Sequence, residues 1–252
     1  TDSSDLYANY VKSSRMTGTI PLTWMTNVTA NATYKTDLKP ETSTRYEIGY
    51  TQRFNNAFLE SDTIHLTFNV FKTRLEDLIV SEGGEGGVAL KDIYNNPNDF
   101  ESKGFEIKST WHYGIYTTSL AYIQIDANSV NDDSNALPTV DEGILLRRVG
   151  TYDMKKAVWN SKVEFSKTLS ADYTLCAVGG INDPIVRGGY TTHDVSMRWK
   201  PGVTSPWTYF LALNNLTDKN YAKHSTIAVK TDASLYREEP GRDLRLSFKY
   251  EF

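Results

Sequence analysis

From Leu244 to the end of the chain the residues alternate without a break. Leu244, Leu246, Phe248, Tyr250 and Phe252 are apolar, and Arg245, Ser247, Lys249 and Glu251 between them are polar. Successive side chains of a strand point to opposite faces, so this segment carries an apolar stripe on one side and charge on the other. A strand of that kind fits an outer side that meets lipid and an inner side that meets water. The pattern predicts an all-β chain, a transmembrane antiparallel β-barrel.

Composition is compatible with that expectation. The 16 Tyr, 10 Phe and 5 Trp are enough to furnish the aromatic girdles at the two membrane interfaces. A mean hydropathy of -0.47 is no obstacle, because every second strand residue faces a polar lumen. No window approaches the ~18 apolar residues that a spanning helix needs, which excludes a helical membrane protein. The net charge of -4, with no basic block, excludes nucleic acid as a partner. The single cysteine, Cys176, cannot close an internal disulfide and reads as a small strand side chain. No signal peptide opens the chain, so the reading is a removed leader or a piece of a longer protein.

Apolar alternation predicts strands near 5–14, 42–54, 62–80, 101–112, 115–126, 153–166, 171–181, 191–200, 207–214 and 242–252. The connections 15–41, 81–100, 127–152 and 215–241 are long and 182–190 is shorter, while 55–61, 113–114, 167–170 and 201–206 are tight. Short periplasmic turns opposite long external loops are the habit of outer-membrane barrels. Along the second segment Tyr46, Ile48 and Tyr50 alternate with Arg45, Glu47, Thr51 and Arg53; along the third Ile64, Leu66, Phe68 and Val70 alternate with His65, Thr67 and Asn69. Arg45, Glu47, Arg53, His65 and His112 are therefore expected to face the lumen, and His193 to sit at a strand entry. Segment 115–126 carries apolar and hydroxylated residues on both sides and shows no preferred face. The first segment needs a strand partner, because hydrocarbon tolerates no exposed backbone edge. Either ten strands close on one another or further strands complete the wall.

Several stretches resemble a known family. Leu38-Lys39-Pro40-Glu41-Thr42-Ser43 followed by Tyr46-Glu47 and Gly49, then Lys103-Gly104-Phe105-Glu106-Ile107, resemble strand entries in the C-terminal half of TonB-dependent outer-membrane receptors. Gly189-Tyr190 with Asp194, the run Asn214-Asn215-Leu216-Thr217-Asp218-Lys219-Asn220-Tyr221, and Pro240-Gly241-Arg242 are similar to the family's closing segment, in the same order. The resemblance implies a 22-stranded barrel with a plugged lumen. Residues 1–252 would be its C-terminal portion of about ten strands, with the plug absent from this chain. It further implies energised import of an iron carrier at the outer membrane of a Gram-negative bacterium. The partners would be TonB acting through the plug, outer-membrane lipid, and a carrier delivered alone, by a haemophore or by a host haemoprotein.

The stretch 38–80 is more similar to the haem and haemoprotein subgroup than to siderophore receptors, so the cargo would be haem or a ferric siderophore, with no covalent cofactor. Haem iron accepts imidazole or phenolate ligands. His224, Tyr221 and Tyr236 in the last long loop, with Trp24, Met25 and Tyr34 in the first, are the candidate ligand contacts. Haem receptors of the family place a His in the loop equivalent to Ser13–Lys39, and this stretch has none. No catalytic or resident metal-binding set stands out. Gly83–Gly87 reads as an external loop, as does the acidic group Asp132, Asp133, Asp141 and Glu142, which lacks EF-hand spacing. Two other classes share the strand pattern: a closed ten-stranded omptin-like protease, using Asp and His at its rim, and a soluble β-sandwich binding module.

Overall fold

Alternation of period two places one strand in each of the ten segments. The computed structural model describes residues 3–15, 33–34, 38–82, 92–97, 99–129, 154–180, 188–224, 228–229, 232–236 and 238–252. Its long strands are β1 (Ser3–Arg15), β3 (Glu41–Asn55), β4 (Thr63–Glu76), β7 (Phe100–Tyr113), β8 (Tyr116–Ser129), β9 (Met154–Ser166), β10 (Leu169–Val178), β11 (Tyr190–Trp199), β12 (Trp207–Asn214) and β15 (Asp243–Tyr250). They form one ten-stranded sheet in the order β1-β3-β4-β7-β8-β9-β10-β11-β12-β15, and every adjacent pair is antiparallel. Short elements decorate the long-loop end: β2 (Thr33–Tyr34), β5 (Ile79–Glu82) and β6 (Asp92–Asn95) make one small sheet, and β13 (Ala228–Val229) and β14 (Asp232–Tyr236) make another.

The register sorts the side chains onto two faces, because directly opposed residues share a side. One row runs Leu6, Tyr50, Phe68, Ile107, Tyr122, Ala157, Ala177 across seven strands. The neighbouring row, one residue on, runs Tyr7, Gly49, Asn69, Glu106, Ile123, Lys156. The first face is apolar and exposed, with Leu6 at 75% and Leu246 at 72%. Among the described residues only Leu78 and Phe100 are buried large apolar side chains. A sheet that leaves its apolar face outside and builds almost no core is stable only where that face meets hydrocarbon.

Pairing also settles what the local pattern left open. In β8 the register puts Thr117, Ser119, Ala121 and Ile123 on the polar face, opposite His112, Thr110, Lys108 and Glu106. Tyr116, Leu120 and Tyr122 take the apolar one. Two boundaries are corrected. The expected strand 62–80 ends at Glu76, because Asp77 adopts φ 54 and its carbonyl accepts the Asn95 side-chain amide at 2.6 Å. The chain then leaves the wall for the small β5–β6 sheet. The tight turn falls at 114–115, where Gly114 supplies φ 55, as a two-residue hairpin with glycine first requires.

The turn 56–62 is built around Asp62. Its carboxylate accepts the N–H groups of Ala57 (2.6 Å), Phe58 (3.1 Å) and Leu59 (3.2 Å), and the Trp111 indole at 2.9 Å. Burial pushes the Asp62 carboxyl upward, but the Trp111 and backbone donors together outweigh it and hold the group below the usual aspartate range.

Candidate functional site

On the polar face a connected cluster joins β1, β3 and β4. Arg45 donates from Nε (3.1 Å) and Nη2 (2.7 Å) to Glu47 Oε2, and its guanidinium lies 4.3 Å from the centre of the Phe71 ring. The phenol of Tyr7 donates to Asn69 Oδ1 at 2.7 Å across Gly49, where any Cβ would overlap the Tyr7 ring. Glu106 follows Asn69 in the same row. A partly screened surface of fixed charges and amides suits contact with a polar solute, because its donors and acceptors are already oriented. Register places Arg53 opposite His65, both on this face, and His112 beside Thr117, whose hydroxyl is 2.9 Å from His112 Nδ1. The five expected lumen residues thus share one side of the sheet. Tyr7 and Phe71 carry no mark in the sequence, and Asn69 and Glu106 stand there only as members of their strands, because their partners are strands away and alternation alone does not rank positions.

The second cluster lies at the long-loop end. Asn215, buried and at φ 48, grips Lys219 twice: its amide donates to the Lys219 carbonyl and accepts the Lys219 N–H, both at 2.8 Å. Asp194 accepts the Asn215 N–H at 2.7 Å, and Asp218 accepts the Arg242 N–H at 2.7 Å. The Asn-Leu-Thr-Asp-Lys run is therefore a knot that ties β11, β12 and the entry to β15 together. From the knot, Tyr221 stacks on Tyr190 with ring centres 4.3 Å apart, and His224 meets the same Tyr190 edge-on at 5.9 Å. His224 is buried and donates from Nε2 to the Gly188 carbonyl at 3.3 Å. Burial, then the Glu239 carboxylate, raises the Tyr221 phenol above its ordinary value. A phenolate ligand for iron would have to form against that bias.

The structure thus brings Tyr221 and His224 together through Tyr190. Tyr34 and Tyr236 lie in the small strands β2 and β14, while Trp24 and Met25, like 83–87 and the acidic group of 132–142, lie outside the described residues. His193 is not a strand-entry residue: it sits within β11, on the apolar face, with Nδ1 2.7 Å from the Tyr173 hydroxyl. The chain-wide pattern hid this because the apolar stripe of β11 begins only at Val195. Among the described residues no group of three or more His, Cys, Asp or Glu is placed to hold a metal.

Among the described residues the ten-stranded sheet ends in β1 and β15, which are not paired with each other. That disfavours a closed ten-stranded barrel, and among the described residues the long sheet has no stacked partner of the kind a sandwich needs. The FrpB iron transporter of Neisseria meningitidis (F5-1 variant) is similar over 99% of this chain and 37% of that one, with a TM-score of 0.76 and 16% identity. The copper transporter OprC matches over the same shares with a TM-score of 0.69 and 17% identity. The haemophore receptor HasR of Serratia marcescens, in complex with its haemophore HasA and heme, matches over the same shares with a TM-score of 0.63 and 18% identity. The chain spans little more than a third of the length of these proteins, and at such identities they show the fold alone. No match was found among curated protein sequences. The family described as TonB dependent receptor-like, beta-barrel, matches residues 1–216, so this chain belongs to the TonB-dependent receptor β-barrel family and is a protein of the Gram-negative outer membrane.

Proposed function

We propose that residues 1–252 are the C-terminal portion of a receptor barrel that captures an iron carrier outside the cell and imports it with energy supplied by TonB through a plug domain. The family match over 1–216 carries this reading. The unpaired edges of β1 and β15 support a larger wall, since hydrocarbon does not tolerate free backbone donors and acceptors. In this reading Arg45, Glu47, Arg53, His65 and His112 line the lumen. The external loops, with Tyr221, His224, Tyr236, Trp24, Met25 and Tyr34, meet haem, a haemoprotein or a ferric siderophore, and the protein transports its ligand without transforming it.

Growth of a strain lacking the gene, on haem or on ferric siderophores as sole iron source, tests the proposal. The expected result is growth restored on one carrier class by the intact protein. Growth restored on none would remove the substrate class. His224→Ala separates two roles: a ligand contact loses uptake of that carrier with surface expression unchanged, whereas a packing role lowers expression and uptake together.

A further inference from the structure

Asp62 lies on the apolar side of the wall, in register two residues before Ile64. Its Oδ2 receives the Trp111 indole, and Trp111 is the direct cross-strand neighbour of Ile64. A carboxylate in that position faces the edge of the hydrocarbon layer, where a bare charge is costly. It is nevertheless fully covered, at 0% exposure. The cover is the turn itself: residues 57–59 cross over the carboxylate and aim their N–H groups at it. With its backbone donors turned inward, the turn presents Phe58 at 77% and Leu59 at 44% exposure. Phe54, Trp111, Tyr113 and Tyr116 stand on the same side of the sheet at the same end, so the two exposed residues extend an apolar surface that already meets lipid.

We propose that the turn 56–62 is a membrane-interface wedge: Phe58 and Leu59 rest in the headgroup region of the periplasmic leaflet, and the covered Asp62 holds the turn across the outward side of the wall. Aromatic and aliphatic groups at this depth gain from leaving water, while the polar backbone keeps its hydrogen bonds inside the turn. The occupant is lipid, because the surface continues the lipid-facing stripe and the Asp62 carboxylate beneath it is covered, while Glu60, the turn's other carboxylate, is exposed where the headgroup region is wet. The wedge does not depend on which carrier the receptor takes.

The test uses the full-length protein in a Cys176→Ser background, carrying a nitroxide on Phe58→Cys and reconstituted in bilayers of phosphatidylethanolamine and phosphatidylglycerol. Collision with oxygen, which concentrates in lipid, is compared with collision with a water-soluble nickel chelate, and the same label on Leu246→Cys marks a lipid-facing site. The expected result is an oxygen-favoured ratio at position 58, as at 246. A chelate-favoured ratio, showing the turn in water, overturns the proposal. So does suppression of both collisions with an immobilised spectrum, which shows a protein partner. In Asp62→Asn the label at 58 is expected to gain mobility and shift toward chelate collision; no change would overturn the holding role of Asp62.

Discussion

Glycine at 49 and at 104 fills two different spaces, and substitution separates them. A Cβ at Gly104 would overlap the Gln124 backbone carbonyl on β8, which cannot move without shifting the ladder. Gly104→Ala should cost about 1–3 kcal/mol, read as a lower urea midpoint in detergent micelles. At Gly49 the overlap is with the ends of the Tyr7 and Asn69 side chains, which can swing aside. Gly49→Ala should therefore cost about 1 kcal/mol through the lost Tyr7–Asn69 bond, and it should add little when Tyr7→Ala is already present. Asp62 carries a pH dependence. Its carboxyl is held below the aspartate range, so the stabilisation it adds is complete above the unfolded value near pH ~3.9. It is lost as pH falls through the lower folded value. Protection factors of the Ala57, Phe58 and Leu59 amides should hold down to about pH 4 and fall only in stronger acid; a loss beginning near neutrality would contradict this sign. The two glycines could not be assigned a role from the sequence because their partners sit on other strands, and Asp62 could not because its part shows only once residues 57–59 fold over it and Trp111 reaches it from β7.

At the scale of elements, the family-like stretches of the closing segment turn out to be joints. Asn214–Tyr221 forms the knot over β11 and β12, and Gly241 lies so close to Asp218 that a Cβ there would crowd its carboxylate. Asn215→Ala removes both Lys219 bonds and puts alanine at φ 48. A local cost of about 1.4 kcal/mol, within the range for two such bonds, corresponds to roughly tenfold faster protease cleavage in 215–224. Amide protection in β12 and β15 should stay unchanged. Strand positions were legible in advance because alternation is a local property: every long strand overlaps its expected segment. Where they end was less legible. The exit of the chain at Asp77 depends on an amide from Asn95, eighteen residues away, and nothing near Glu76 announces it.

For the whole molecule, the division between lipid and water is the property to test. Leu246 and Ser247 are adjacent in β15 but oppose Leu211 and Phe210 on different faces of the wall. Leu246→Arg should destabilise insertion into vesicles by about 2–4 kcal/mol if it lies near the bilayer midplane, while Ser247→Arg should be nearly neutral. Equal costs at the two positions would deny the bilayer as solvent for the outward side. The sequence alone determined where the ten long strands lie and which residues of most of them share a face, because a period of two is written along each segment. Tertiary structure decided the face of β8, the open order of the sheet, the Tyr7–Asn69 and Arg45–Phe71 contacts, and the packing of His224 beneath Tyr190. Each of these depends on which strand lies beside which and in what register, and register is set by backbone hydrogen bonds between segments far apart in the chain.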